Sequence, residues 1–263
     1  AFAAMQMLGL LFARAVRASL ALFLLAHASA TLSEAPPGTR FALLIGNTAY
    51  DSAGQLPNAR NDAETVAESL RAVGFTVEVL LDLDLDGMDR ALDLLQAKAA
   101  ENEVVALYFA GHGMQHDGMN YLLPTDATLR NSRAVARETI ALEDVLDILT
   151  AAPTALVFLD ACRNNPLAET LANETPADER GAVPLSSGLA VVRAPGDMMI
   201  SYATLPGEVA YDGGFGNSPY ARALARQIVT PDVEISVLMK RVTRDVMEET
   251  KTRQRPQQLS QMQ

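Results

Sequence analysis

The sequence predicts an α/β protein built on a mostly parallel, helix-covered sheet, and three observations predict it. Short apolar runs rich in β-formers alternate with stretches whose apolar residues recur at helical spacing, which is the signature of βα units. Two of the runs, residues 106–113 (ALYFAGHG) and 156–164 (LVFLDACRN), are continuous in their apolar part, as strands buried on both faces are. Both close on a reactive side chain: His112 in a Gly-His-Gly turn, and Cys162, the single cysteine of the chain. Ligands of open α/β sheets sit beyond the carboxyl ends of the strands. If these two strands are neighbours, a thiol nucleophile and its base meet there.

Taken in order, residues 31–39 (TLSEAPPGT) are a linker, and residues 40–45 (RFALLI) a first buried strand ended by Gly46 and Asn47. A helix follows over 58–73, with Ala63, Val66, Ala67, Leu70 and Val73 at helical spacing and Gly74 closing it. Residues 75–81 are a second strand, 88–99 a second helix, and 103–109 a third strand that carries His112 at its end. Residues 119–124 (MNYLLP) belong to a small hairpin, and 142–149 form a helix before the fourth core strand, 154–159, which carries Cys162. Residues 164–193, rich in Pro, Gly, Ser and charge, read as a long loop, more often a functional feature than a structural one. Residues 198–203 are a fifth strand. Ser218 caps a helix that has Pro219 at its first position and runs to about 228, and a last helix spans 233–250. The folded domain is therefore placed at 40–250, with polar residues 251–263 as a C-terminal tail cut before any further strand or domain.

Composition excludes several classes. A chain of 263 residues that is 49% hydrophobic can bury a full core. A net charge of −11 with no basic stripe argues against nucleic acid and suits a cationic substrate or partner. One cysteine excludes an internal disulfide and a cysteine-based zinc site. No G-x-G-x-x-G or P-loop pattern occurs, so nucleotide binding has no support. Residues 1–30 have Arg14 and Arg17 as their only charges, then the apolar run 20–25 (LALFLL) and Ala28-Ser29-Ala30. That is the make-up of a secretory signal cleaved before Thr31, which implies export to the periplasm or beyond. The alternative is an uncleaved segment that anchors the chain, the one membrane contact expected; the run after Arg17 is short for a bilayer.

The polar residues near the two strand ends admit more than one reading. Glycines on both sides of His112 let a backbone approach closely. His116, four residues on, reads as surface. A free cysteine is more often buried packing than chemistry, but Cys162 lies between Asp160 and the polar Arg163-Asn164-Asn165. The first strand-to-helix connection supplies Arg60-Asn61-Asp62 at the edge where Asp160 lies. Carboxylates near a thiol raise its pKa, so Asp62 and Asp160 fit better as the floor of a pocket for a guanidinium or ammonium group. The plainer alternative has Asp62 capping the first helix and Asp160 orienting its own loop. Asp82, Asp84, Asp86 and Asp93 mimic the start of a calcium loop, but a strand enters the run and its twelfth position is not Glu. Asp86 as a helix cap is the better account of that run.

The segments FALLIGN (41–47), ND (61–62), YFAGHG (108–113), FLDACRN (158–164) and SYAT (201–204) together resemble the caspase-like cysteine peptidases, specifically their bacterial metacaspase-like branch, over residues 39–250. The caspase signature Q-A-C-[RQG]-G, with a histidine about fifty residues upstream, is D-A-C-R-N here. The resemblance implies the caspase-haemoglobinase fold, a six-stranded, mostly parallel sheet with helices on both faces. It implies a catalytic dyad of His112 and Cys162, an oxyanion hole from the amides of Gly113 and Cys162, and an S1 pocket lined by Asp62 and Asp160. Peptide or protein substrates with Arg or Lys at P1 follow from those acids. No cofactor is implied as required, although calcium is a candidate activator. Ala110 stands where the branch often has a serine. The loop 164–193, with Arg180 and Arg193, is a candidate for self-cleavage. Two alternatives stay open: a non-catalytic module of the same fold that binds a peptide, and an Asp-directed protease.

Overall fold

The computed structural model describes residues 38–162, 194–205, 210–211, 213–214 and 216–262. Strand β1 (Arg40–Gly46) leads to helix α1 (Ala59–Ala72), and β2 (Thr76–Leu81) to α2 (Leu85–Glu101). Then come β3 (Val104–His116), β4 (Met119–Leu122), α3 (Ser132–Glu138), the two-residue β5 (Ile140–Ala141) and α4 (Leu142–Leu149). Strands β6 (Thr154–Cys162) and β7 (Met198–Tyr202), helices α5 (Pro219–Ile228) and α6 (Ile235–Glu249), and strand β8 (Gln257–Ser260) complete the order. Thr39–Gln263 is one compact unit.

The main sheet runs β2-β1-β3-β6-β7-β8, with β4 and β5 as a side extension of β3. All its pairings are parallel except β7 with β8. This is the α/β architecture with a six-stranded, mostly parallel sheet that the sequence predicts. Chain order grows outward in both directions from the β1–β3 pair, so the topological switch point, where a crevice opens beyond the strand ends, lies between those strands.

Side chains alternate across the sheet with period two, and each face finds its own helices. Leu43, Ile45, Leu107 and Val157 pack with Met88, Ala91 and Leu95 of α2 and with Val145 and Leu149 of α4. Leu44, Ala106, Tyr108 and Phe158 pack with Ala63, Val66 and Leu70 of α1, Leu224 of α5, and Val242 and Val246 of α6. The continuous apolar runs are thus explained: both faces of the central strands are buried.

The fold departs from the sequence expectation at four places. The Gly-His-Gly stretch is not a turn, because β3 continues through it to His116. Helix α2 is capped by Asp84, whose carboxylate accepts the amide of Gly87, while Asp86 lies in the first helical turn. Helix α3 and strand β5 have too little periodicity to be read from sequence. The polar stretch after residue 250 is not simply tail: β8 lies in it and pairs antiparallel with β7, Ile200 opposite Leu259. The signal-like segment 1–30, the linker to residue 37 and the loop 164–193 lie outside the described residues. Among the described residues no helix is long and apolar enough to cross a membrane.

Leu43 is fully buried on β1 between two covering strands. Leu43→Ala is expected to destabilise the fold by about 3 kcal/mol through lost burial and the cavity it leaves, read as a lower denaturant midpoint at unchanged slope.

Candidate active site at the carboxyl ends of the central strands

Strands β3 and β6 pair in parallel from Val104 opposite Thr154 to His112 opposite Cys162. Neighbouring strands lie about 4.8 Å apart, so the backbones of the two candidate catalytic residues are adjacent at one level of the sheet. Strand β3 leaves the parallel sheet and pairs antiparallel with β4, beginning at Gly113 opposite Leu122. Gly113, expected at the oxyanion, therefore follows His112 at the first rung of the new ladder.

The histidine is held from the β1–α1 connection. Its Nε2 lies 2.6 Å from the carbonyl oxygen of Gly54. A carbonyl only accepts, so Nε2 carries the proton and Nδ1 is the basic nitrogen. Nδ1 is buried and has no hydrogen-bond partner among the described residues. Burial pulls the imidazole pKa below its ordinary value, and the Gly54 bond offsets this only in part. The result is a neutral ring with one nitrogen ready to take a proton. Gly54 had no sequence signal, because it acts through its carbonyl and any residue has one.

Asp62 and Asp160 are brought together, as expected, but Asp62 comes from the first turn of α1 and does not cap that helix. Both are buried, at 2% and 8% exposure. Asp62 Oδ1 accepts from the amide of Ser218 at 2.8 Å and from Asn217 Nδ2 at 3.0 Å. Asp160 Oδ2 accepts from the Ser218 hydroxyl at 2.5 Å and from the Tyr108 hydroxyl at 2.9 Å. These donors are all neutral, so they orient the carboxylates without cancelling their charge. Burial, with Asp160 and Asp62 next to it, pushes the Tyr108 phenol well up, which keeps it a proton donor. A narrow recess opens onto both acids, walled by Ala110, Gly111, Ala210 and Tyr211. Where the resemblance would place a serine, Ala110 sits, and Ser218 brings a hydroxyl to this recess from another element. Ser218 also caps the helix, as its sequence context predicts, its hydroxyl accepting the amide of Ala221.

The acidic run is structural. Asp82 accepts the amides of Thr48 and Ala49 at 2.7 and 3.0 Å and pairs with Arg60 at 2.8 Å, which fixes the start of the β1–α1 connection. Its carboxyl is held below the usual range by those bonds and by the guanidinium, against a burial effect that pushes the other way. Asp126 accepts the amide of Leu85. Among the described residues no group of three or more His, Cys, Asp or Glu is placed to hold a metal ion.

Residues 39–263 match the family model for the caspase domain of the C14 peptidases. The mucosa-associated lymphoid tissue lymphoma translocation protein 1 of Homo sapiens is 27% identical over 212 residues, 79% of this chain and 24% of that protein. Its Mus musculus homologue is 28% identical over 212 residues, covering 79% of this chain and 23% of its own length. The chain thus spans about a quarter of the length of these curated relatives. The crystal structure of a caspase-1 from Spodoptera frugiperda superimposes with a TM-score of 0.60 at 16% identity, covering 85% of this chain and 87% of that one, and shares the fold.

His112 is expected to titrate, by its ring-proton NMR shifts, with a midpoint below the ordinary 6.5. The unfolded state then binds more protons between the two midpoints. The stability contributed by the neutral ring is therefore complete above 6.5 and is lost as pH falls through that window. A midpoint at or above 6.5 contradicts the burial argument.

Proposed function

The chain belongs to the caspase-domain family of C14 peptidases, and on that premise we propose that it is a cysteine endopeptidase cleaving peptide bonds after Arg or Lys. The observation that carries the reading is the pairing of His112 with Cys162 at the end of the β3–β6 ladder, with the histidine held as an Nε2-protonated, neutral base. Cys162 gives its thiol proton to Nδ1 of His112, and the thiolate attacks the carbonyl carbon of the scissile bond. The amides of Gly113 and Cys162 stabilise the oxyanion of the tetrahedral intermediate. As the C–N bond breaks, His112 returns its proton to the leaving amine, and a thioester remains on Cys162. His112 then takes a proton from water, whose oxygen attacks the thioester; the acid leaves and the thiol is restored.

Specificity rests on the two buried carboxylates. A guanidinium entering the recess meets Asp62 and Asp160 already oriented by Ser218, Asn217 and Tyr108, and charge-assisted pairs in a desolvated site are strong. An acidic P1 side chain meets two like charges instead. The same reading places the activity outside the cytoplasm, on the strength of the signal-like segment 1–30. Calcium enters as a candidate activator, and assays with and without it decide that point.

A fluorogenic P1 panel tests the assignment. Arg and Lys peptides are expected to turn over, Asp peptides are not, and Cys162→Ala and His112→Ala abolish turnover. Asp160→Asn and Asp62→Asn are each expected to lower kcat/KM on Arg peptides by about 100-fold, the range for losing one partner of a buried charge pair. Turnover that survives Cys162→Ala sinks the mechanism, and cleavage after Asp alone sinks the specificity.

A further inference from the structure

Tyr50 lies in the β1–α1 connection, 5% exposed, in a small apolar cluster with Met114, Tyr121 and Leu123. The pairing of Gly113 with Leu122 makes His112 and Leu123 the next pair of the β3–β4 ladder. Alternate pairs of an antiparallel ladder exchange two direct N–H···O bonds, and the Leu123 amide on the His112 carbonyl marks this pair as one of them. Here one is direct, the Leu123 amide donating to the His112 carbonyl at 3.0 Å. The other runs through the Tyr50 hydroxyl, which accepts the His112 amide at 2.8 Å and donates to the Leu123 carbonyl at 3.2 Å. One phenol oxygen is thereby built into the ladder at the residue where β3 leaves the parallel sheet.

The same side chain also contacts the imidazole. The rings of Tyr50 and His112 lie 4.5 Å apart between centroids, tilted by 58°. With the Gly54 carbonyl on Nε2, the histidine is held at its amide, its ring and its far nitrogen, all from one connection. That connection is itself fixed on both sides of Tyr50, by Asp82 on the amides of Thr48 and Ala49 and by the amide of Asp51 donating to Thr125. Gly111 makes room for the arrangement: a Cβ there would lie 2.6 Å from the Tyr50 hydroxyl.

We propose that Tyr50 is a positioning residue that sets the orientation of the base His112 by holding its backbone and ring together. This rests on the reading of His112 as the base of the peptidase. A histidine at the exit of a strand has a free χ1 and a ladder that tends to close with two direct bonds. Inserting the hydroxyl fixes the backbone in the opened geometry, and the ring limits the imidazole to one orientation.

Tyr50→Phe keeps the ring and removes the hydroxyl, and Tyr121→Phe, whose hydroxyl meets only the Met119 sulfur among the described contacts, controls for loss of a phenol in the same cluster. Two measurements on the full chain decide. Amide hydrogen exchange at His112 is expected to quicken by at least about tenfold in Tyr50→Phe with Tyr108 and Phe109 unchanged, since one amide loses its acceptor. On an Arg peptide, kcat is expected to fall about tenfold with KM within twofold, the mark of a misplaced catalytic group and not of lost binding. Unchanged exchange at His112 overturns the proposal, and so does faster exchange with unchanged kcat. An equal loss of kcat in Tyr121→Phe shows packing alone and overturns it too. Absence of Cys162-dependent turnover in the wild type counts against the peptidase reading instead, and the exchange result then still decides whether Tyr50 holds His112.

Discussion

The parallel register between β3 and β6 is the constraint on which the rest of the site depends. Nine consecutive residue pairs fix it, from Val104 with Thr154 to His112 with Cys162. Both strands are buried on two faces, so a slip of one residue would turn every core side chain to the wrong helix layer. The relative height of the two candidate catalytic residues is therefore set by the packing of the whole sheet, at no local cost near the chemistry. What the sheet cannot set is the direction of the imidazole, because β3 abandons its parallel partners at that residue. That direction comes from the β1–α1 connection, which the switch point places directly beside the end of β3.

The acidic recess follows a second logic. Two buried carboxylates are unfavourable unless hydrogen-bonded, and the amide and hydroxyl of Ser218 divide between them, one to Asp62 and one to Asp160. The hydroxyl also accepts the Ala221 amide. One residue thus caps a helix and ties together acids from α1 and β6, which are 98 residues apart in the chain.

Much of this was legible in the sequence because it depends on patterns that are local. The apolar runs announced β1, β3, β6 and β7, helical spacing announced α1, and the Ser218–Pro219 cap announced α5. His112, Cys162, Asp62 and Asp160 stood out as polar residues at strand ends or in a first helical turn. The parts that were not legible depend on relations without a local mark. β3 looked finished at the glycines, yet those residues continue the strand into a different ladder. β8 is polar, QQLS, because it is an edge strand that is only partly buried. Gly54 acts through its backbone, and Tyr50 has a role only because the fold brings it to His112.

The triple use of Ser218 has a consequence for how such a protein can change. Asp62 and Asp160 each take one bond from the cap residue of α5, so an opening of that helix start withdraws a donor from both acids at once. Stability of a surface-proximal helix end and discrimination between substrates then become one trait. A substitution near residue 218 that improved the cap at the expense of a donor would stiffen the fold and blur the specificity in a single step. Apolar sheet residues such as Leu43 and Val157, which pack only against other apolar side chains, carry no such link and can drift within the limits of their volume.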